Sequence, residues 1–255
     1  MAVVELERRG PIALVTLNRP EARNAVSPEV SQTMAALLDE IEADPALRAV
    51  VLTGRGEVFC AGADLKVVAA GGANEIARGK GGFGGIVTRN FPKPLIAAVN
   101  GPALAGGFEL VLSCDLVVAA ETARFGIPEV KRGLMAAAGG LIRLPKRVPL
   151  AIALEFAMTG DPIDAKRALQ LGLVNRVVPA DRVIDEAIAL AERIGENSPI
   201  AVRASRQLVR EAAEMTEEEG WKRTIELMMP VFETGDAIEG ATAFAEKRPP
   251  VWRST

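Results

Sequence analysis

The chain contains 255 residues, of which 49% are hydrophobic and 25% are charged, and its formal net charge is −3. A chain of this length buries roughly 75% of the surface that it exposes when unfolded. This favours one large domain, or a core with a smaller appendage. The slightly acidic balance disfavours a nucleic-acid partner. Uninterrupted apolar runs stay well below the roughly 20 residues of a membrane span, so we expect no membrane partner.

The first residues, MAVVELERRGPIALV, carry early charges and no apolar stretch of signal-peptide length. Cys60 and Cys114 match no metal-ligand spacing, and a disulfide framework would need more cysteines. We therefore expect a cytoplasmic protein with two reduced thiols and no metal ion.

The first half of the chain predicts strands that alternate with helices. The segments VVELE and IALVTLN predict two strands joined by a turn at residues 9–11. A helix is predicted to begin after Ser27, a serine N-cap that is followed by Pro28 at the first helical position. Residues 49–54, AVVLTG, predict a buried strand. The loop FCAGADLK follows and leads into a short helix capped near Asp64.

Seven glycines between residues 71 and 85 predict a flexible segment beside the active site. The lysine followed by serine or threonine of a phosphate-binding P-loop is absent from it. A short helix is predicted near residues 86–90 and a strand at LIAAVN, residues 95–100. The segments GFELVLSCD and LVVAA then predict a helix and a core strand.

Only helices are predicted after about Leu150, so the fold class is expected to be α/β with a helical C-terminal region. We place the core at residues 1–195 and the helical region at residues 196–255. Apolar stripes in that region must be covered by the core or by another subunit, which predicts a role in oligomerisation. They include Ile200, Val202 and Leu208, followed by Ile225 and Leu227.

Two glutamates are the candidate catalytic residues. The chain contains no histidine and no tyrosine, so acid–base chemistry near neutral pH must use carboxylates, lysines or the two cysteines. Glu109 and Glu129 each follow a glycine-containing turn within apolar sequence. Paired carboxylates in such surroundings can differ in pKa, so that one acts as a base and the other as an acid. By spacing alone, both could equally be solvated residues in the first turn of a helix.

Two glycine turns are candidates for binding a developing negative charge. Gly106 lies where a turn becomes a helix, and the first N–H groups of a helix lack internal partners. Residues 61–63, Ala-Gly-Ala, precede the other short helix. Two such N–H groups aimed at one oxygen would form an oxyanion hole. The alternative is that both are ordinary turns between strands and helices.

Taken together, these motifs resemble the crotonase superfamily of enoyl-CoA hydratases and isomerases. The resemblance covers nearly the whole chain in the family's order. It runs through LNRPEARNAVS, AGADLK, AAVNGPALAGGFEL, CDLVVAAETARFGIPEVKRGL, AGGLIRLPKRV and MTGDPIDAKRALQLGLVNRVV to the tail GDAIEGATAFAEKRPPVW.

The resemblance implies a spiral of strand–strand–helix units with a C-terminal helical region, assembled as a trimer or a hexamer. It also implies an acyl-CoA thioester substrate, lipid metabolism, and no cofactor, because coenzyme A is part of the substrate. By motif position, the N–H groups of Ala63 and Gly106 would stabilise the thioester enolate. Glu109 would activate the water that adds to Cβ, and Glu129 would deliver the proton to Cα and share the water.

The resemblance further assigns a group of residues to the CoA moiety. These are Ala22, Arg23, Asp64, Leu65 and Lys66. Lys247 is a candidate for the CoA phosphates, although a solvated charge on a terminal helix would look the same in the sequence.

One position departs from the pattern of the hydratases. The family glycine that helps to hold the attacking water is replaced by Ala137, whose methyl group could narrow the site. GGFGG, LIRLPK and the C-terminal tail are especially similar to the carnitinyl-CoA dehydratases, which form the alternative function. A non-catalytic acyl-CoA-binding or RNA-binding member is a further alternative. The two glutamates and the acidic balance argue against it, and the two glutamates also argue against an isomerase.

Overall fold

The computed structural model describes residues 2–253 and confirms the predicted α/β class. The main sheet of the described chain is built from six strands: β1 (Val4–Arg9), β2 (Ile12–Leu17), β3 (Ala49–Gly54), β4 (Leu95–Val99), β6 (Leu116–Ala120) and β9 (Arg176–Val178). Their order in the sheet is β1-β2-β3-β4-β6-β9. The β1–β2 pair is antiparallel and the other pairs are parallel. β3 and β4 are buried along their whole length, as expected for central parallel strands.

A second, smaller sheet positions the site. Its strands are β5 (Ala103–Leu104), β7 (Arg124–Gly126) and β8 (Ile163–Asp164), in the order β5-β7-β8. β5 and β7 run parallel, whereas β7 and β8 run antiparallel. An isolated bridge between Cys60 and Ala103 joins the loop after β3 to this sheet.

Eleven α-helices are present in the described chain: α1 (Pro28–Ala43), α2 (Leu65–Ala69), α3 (Ala73–Ile76), α4 (Gly106–Ser113), α5 (Gly140–Arg143), α6 (Leu150–Thr159), α7 (Ala165–Gln170), α8 (Val183–Gly195), α9 (Pro199–Ala212), α10 (Glu217–Phe232) and α11 (Gly235–Glu246). α8 packs across β2, β3, β4 and β6. Within residues 2–253, no helix combines the length and the apolar character needed to cross a membrane.

The predicted start of α1 is confirmed. The Ser27 hydroxyl accepts a hydrogen bond from the Val30 N–H at 3.3 Å, and Pro28 occupies the first turn. Such a cap satisfies one of the N–H groups that a helix start leaves unpaired. The buried face of the helix includes Met34, Leu38 and Ile41, which follow helical spacing.

Two predictions of secondary structure are wrong. Residues 86–90 form no helix, and the short turn nearby, at Phe83–Gly85, has a non-helical backbone at Gly84. Gly82, Gly84 and Gly85 have positive φ angles, which a regular right-handed helix cannot contain. The second half of the chain also contains strands β8 and β9 between its helices. Strands of two and three residues are too short to show an alternating pattern in the sequence.

The glycine-rich segment is packed into the core in its second half. Gly85 has a φ of +68°, and a Cβ atom there would lie 2.4 Å from the Ser31 carbonyl oxygen of α1. The Ser31 hydroxyl also accepts a hydrogen bond from the Gly84 N–H at 3.0 Å. Glycine is therefore needed here for close approach to α1, and not only for flexibility. The domain division at residue 196 stays a prediction.

A buried asparagine connects the loops on the site side of the sheet. The Asn24 side chain is 1% exposed. Its Nδ2 donates to the carbonyl oxygens of Arg55 at 3.0 Å and Val58 at 2.7 Å, and its Oδ1 accepts from the Arg19 N–H at 2.9 Å. Asn24 also has a φ of +54°, a conformation that asparagine tolerates better than most residues.

We expect Asn24→Ala to lower the free energy of unfolding by about 2 to 4 kcal/mol, because it leaves buried polar groups unpaired and strains the backbone. Asn24→Gly is the matched control, since glycine accepts the positive φ but lacks the side chain. It should recover roughly 1 kcal/mol of the loss. Urea denaturation at one protein concentration measures both. Wild-type stability in Asn24→Ala would contradict the role of this side chain as an anchor.

Candidate active site

The parallel pairing of β5 and β7 brings the two glutamates to one end of the small sheet. Leu104 is opposite Gly126, and the Ala105 N–H donates to the Gly126 carbonyl oxygen at 2.9 Å. α4 begins directly after β5 and carries Glu109, while the 3₁₀-helix Pro128–Arg132 follows β7 and carries Glu129. Glu109 and Glu129, which are 20 positions apart in the chain, thus both follow the ends of neighbouring strands.

Glu109 is buried and is held by backbone donors. Glu109 is only 2% exposed. Its Oε1 accepts hydrogen bonds from the N–H groups of Ala138 at 2.7 Å and Gly140 at 2.8 Å. Burial raises the pKa of Glu109 above its usual value, while the two N–H groups and the more distant Arg143 act to lower that pKa. The carboxylate form of Glu109 therefore has specific partners.

Glu129 lies in a different environment. Its Oε2 is buried and accepts no hydrogen bond from any residue between 2 and 253. Burial raises the pKa of Glu129 to about 7, and the negative charge of Glu109 adds to this increase. A hydrogen bond from the backbone N–H of Glu129 itself and the charge of Arg132 act to lower the pKa. Glu129 can consequently hold a proton near neutral pH while Glu109 accepts two N–H groups. The assignment of Glu109 as base and Glu129 as acid stays a prediction, to which this difference in surroundings is relevant.

The two predicted charge-binding turns lie side by side. A Cβ atom at Gly62 would lie 2.7 Å from the Ala105 Cβ and 3.0 Å from the Gly106 nitrogen, and Gly62 has a φ of +98°. Only glycine permits this approach. Val26 pairs with the residues on both sides of Ala63, through Gly62 O at 2.8 Å and Asp64 N at 2.9 Å.

The two predicted oxyanion donors are the backbone N–H groups of Ala63 and Gly106. Within residues 2–253, the N–H groups of Ala63 and Gly106 donate no hydrogen bond, and Gly106 is the first residue of α4. The ring of Phe83 covers the outer side of Gly106, where a Cβ atom would lie 2.4 Å from the ring. The two turns adjoin, and whether these N–H groups act together as an oxyanion hole stays a prediction.

The residues predicted to contact CoA surround the Ala63 turn. The Arg23 carbonyl oxygen accepts from the Ala61 N–H at 3.0 Å, which links the turn at residues 20–23 to the turn at residues 61–63. The Asp64 carboxylate caps α2 through the Lys66 N–H at 3.1 Å and pairs with Arg19 at 3.0 Å. These two interactions occupy the Asp64 carboxylate and hold the loop at residues 61–64 in place.

The remaining predicted CoA residues are placed as follows. Ala22 is half-buried in the turn beside Arg23, while the side chains of Leu65 and Lys66 are exposed at the start of α2. Lys247 caps the C-terminal end of α11, and within residues 2–253 no hydrogen bond or ion pair joins its side chain to the site.

The loop after Glu129 contains functional residues that the sequence analysis missed. Ala137, the departure from the family pattern, is exposed, and the donors to Glu109 are Ala138 and Gly140. Gly139 and Gly140 at the start of α5 were a usable signal, because glycines at a helix start can offer N–H groups to an anion. Within residues 2–253, no group of three or more Cys, Asp or Glu side chains could hold a metal ion.

The model of the family described as enoyl-CoA hydratase/isomerase matches residues 7–255. The chain belongs to this family. The carnitinyl-CoA dehydratase of Citrobacter koseri is 44% identical over 252 residues, which cover 96% of each chain.

Two solved structures of similar proteins cover nearly the whole chain. The enoyl-CoA hydratase from Mycobacterium tuberculosis H37Rv is 47% identical, with a TM-score of 0.95 over 100% of both chains. The carnitinyl-CoA hydratase from Mycobacterium avium is 48% identical, with a TM-score of 0.78 over 99% of both chains. These similarities confirm the crotonase-like fold and membership of the enoyl-CoA hydratase/isomerase family.

The raised pKa of Glu129 gives a direct test of the site. In protein labelled with ¹³C at glutamate carboxyl carbons, the Glu129 signal should titrate with a midpoint of about 7, well above the roughly 4.3 of an ordinary glutamate. The signal that disappears from the spectrum of Glu129→Gln is the signal of Glu129. Arg132→Gln should raise the midpoint further, because it removes the nearby cation. A midpoint near 4, unchanged in Arg132→Gln, would contradict the description of Glu129 as a buried acid.

Proposed function

We propose that the protein is an enoyl-CoA hydratase, a hydro-lyase that adds water across the Cα=Cβ bond of a 2-enoyl-CoA thioester. The observation that carries the proposal is the contrast within the glutamate pair. Glu109 accepts hydrogen bonds from two N–H groups, whereas Glu129 has a pKa of about 7 and a buried Oε2 that accepts no hydrogen bond within residues 2–253. The free N–H groups of Ala63 and Gly106 supply the oxyanion hole that the same reaction needs.

The proposed reaction uses each group once. The thioester oxygen accepts hydrogen bonds from the N–H groups of Ala63 and Gly106. These hydrogen bonds stabilise the enolate that forms when Cβ is attacked. Glu109 takes a proton from the attacking water, and the remaining hydroxide bonds to Cβ. Glu129 gives its proton to Cα as the enolate collapses. Proton exchange through solvent then returns Glu109 to the carboxylate and Glu129 to the acid.

The CoA moiety is proposed to lie along the turn at residues 20–23 and the start of α2. Arg23 and Lys66 are exposed there and carry the positive charge that phosphates require. The Asp64 carboxylate keeps the Ala63 turn in place through Arg19 and the Lys66 N–H. Lys247 remains a proposed phosphate contact. We further propose cytoplasmic function in lipid metabolism, with no cofactor other than the CoA of the substrate.

A carnitinyl-CoA substrate is the second candidate, favoured by relatives of that name. The scarcity of aromatic residues argues for an uncharged acyl group instead. A quaternary ammonium group is favourably bound by an aromatic cage, and the chain has only eight phenylalanines, two tryptophans and no tyrosine to build one. Hydration rates with crotonyl-CoA and crotonobetainyl-CoA separate the two candidates. A higher kcat/KM for crotonobetainyl-CoA would establish the second one.

The protein is also proposed to assemble as a trimer or a hexamer. α10 and α11 expose large apolar side chains, including Trp221, Phe232 and Phe244, the last of which is 88% exposed. Exposed apolar surface of this kind marks a contact with another protein surface. The C-terminal helices would then cover surface of a neighbouring subunit.

Light scattering at micromolar protein concentration should therefore give the mass of a trimer or a hexamer. Phe244→Glu should shift the mass towards the monomer, because it places a charge in the buried contact. Glu192→Gln on α8 is an exposed control and should leave the mass unchanged. A stable monomer for the wild-type chain would contradict this proposal.

The role of the Gly62 turn is testable with a matched glycine. Gly62→Ala should lower kcat for enoyl-CoA hydration by about 10²-fold, because the added methyl pushes the Ala63 and Gly106 donors apart. Gly71 also has a positive φ, +82°, but a Cβ atom there meets no atom within 4 Å. Gly71→Ala therefore introduces the backbone strain of a positive φ without the steric clash that Gly62→Ala adds. Equal activities of the two variants would contradict an oxyanion hole at this position.

Glu109→Gln and Glu129→Gln should each lower kcat by about 10²- to 10⁴-fold, since glutamine keeps the shape but transfers no proton. The double variant should be scarcely slower than the slower single variant, because groups that act as a unit have non-additive effects. Circular dichroism checks the fold, and Glu192→Gln is again the exposed control. Near-normal turnover in Glu129→Gln would defeat the hydratase proposal.

A further inference from the structure

A cavity of about 950 Å³ borders the loop that holds Glu109. Ala137, Ala138 and Gly139 of this loop line the cavity, together with residues of α9. The volume is in the range of small-molecule sites. Glu109 and Glu129 do not line the cavity, and the proposed hydration uses none of its side chains.

The lining of this cavity is strongly basic. Its cationic side chains are Arg143, Lys146, Arg147, Arg206 and Arg210. The carboxylates that line it are Asp115 and Glu214. Five cations and two carboxylates leave an excess of three positive charges, in a protein whose formal net charge is −3. We call this site the arginine cavity.

The carboxylates of the arginine cavity are taken by three of its cations. Asp115 pairs with Arg206 and with Arg210, each at 2.6 Å. Glu214 pairs with Lys146. Arg206 also donates to the Phe91 carbonyl oxygen at 2.7 Å, which fixes α9 against the core.

The other two guanidinium groups have no carboxylate partner within residues 2–253. Arg147 donates to the Cys114 carbonyl oxygen at 2.8 Å. Arg143 donates to the carbonyl oxygens of Val87 and Ala138. Both side chains are half-buried. Burial, followed by repulsion from Arg210, lowers the pKa of Arg143, while the charge of Glu109 opposes this change. Burial also lowers the pKa of Arg147.

Partly buried cations in proteins are normally paired with an anion. Guanidinium forks are suited to carboxylate and phosphate, because they donate two parallel hydrogen bonds to such groups. We propose that the arginine cavity binds a small oxyanion, phosphate or carboxylate, between Arg143 and Arg147. The anion neutralises the excess charge that Asp115 and Glu214 leave uncompensated.

The arginine cavity is connected to Glu109 through one residue. The Ala138 carbonyl oxygen accepts from Arg143, while the Ala138 N–H donates to Glu109. Arg143 also lowers the pKa of Glu109 by its charge. An anion on Arg143 reduces that influence, so occupancy should move the pKa of Glu109 upwards and should hold the loop at residues 137–140 in place.

Isothermal titration calorimetry with the full chain, in the absence of any CoA compound, tests the proposal. Phosphate and succinate are titrated separately at constant ionic strength, which distinguishes the two sources of an oxyanion. We expect saturable binding of one of them with one site per chain. Arg147→Gln should weaken binding about tenfold or more, because it removes a charged fork. Arg147→Lys should give an intermediate loss, since it keeps the charge without the fork.

Arg193→Gln is the matched control. Arg193 is exposed on α8, and its replacement changes the net charge by the same amount. Binding should persist in Arg193→Gln, and thermal melting confirms that each variant is folded. No saturable binding of either anion to the wild-type chain would overturn the proposal, as would equal affinities in Arg147→Gln and the wild type. A change of oligomeric mass in Arg147→Gln without anion binding would assign the cavity to a subunit contact and overturn it as well.

Discussion

The site depends on a parallel pairing of two very short strands. β5 has two residues and β7 has three, yet their pairing places the starts of α4 and the Pro128–Arg132 turn side by side. The bridge between Cys60 and Ala103 adds the Ala63 turn to the same place. Gly62 and Gly107 permit the contact, since a Cβ atom at Gly107 would lie 2.1 Å from the Cys60 carbonyl oxygen. Close backbone approach therefore assembles donors and carboxylates from three separate segments.

The chemistry follows from the contrast between two buried carboxylates. Burial disfavours charge on both, but Glu109 recovers part of that cost through the N–H groups of Ala138 and Gly140. Within residues 2–253, Oε2 of Glu129 has no such partner, and the nearby charge of Glu109 further favours the protonated form of Glu129. The proposed hydration would use this contrast to supply a base and an acid without histidine. In that proposal, the negative charge of the substrate would develop next to the N–H groups of Ala63 and Gly106.

The sequence predicted the features that depend on local pattern or on recognised motifs. The α/β class, the Ser27 cap and the central strands were confirmed, because caps and apolar runs are local signals. The pairing of β5 with β7 was not predictable, since two or three residues show no periodicity. The donors to Glu109 are 29 and 31 positions away in the chain, and the arginine cavity combines residues from α5 and α9. Such features arise from tertiary packing alone.

We propose that the two glutamates add water to an enoyl thioester. The most direct test incubates the protein with crotonyl-CoA in water enriched in ¹⁸O and analyses the product by mass spectrometry. A hydroxyacyl-CoA that carries one ¹⁸O atom at the Cβ hydroxyl group, with the thioester intact, should form. The Glu109→Gln, Glu129→Gln double variant should form almost none of it. Unchanged crotonyl-CoA with the wild-type protein, or a product without ¹⁸O, would contradict hydration by this pair.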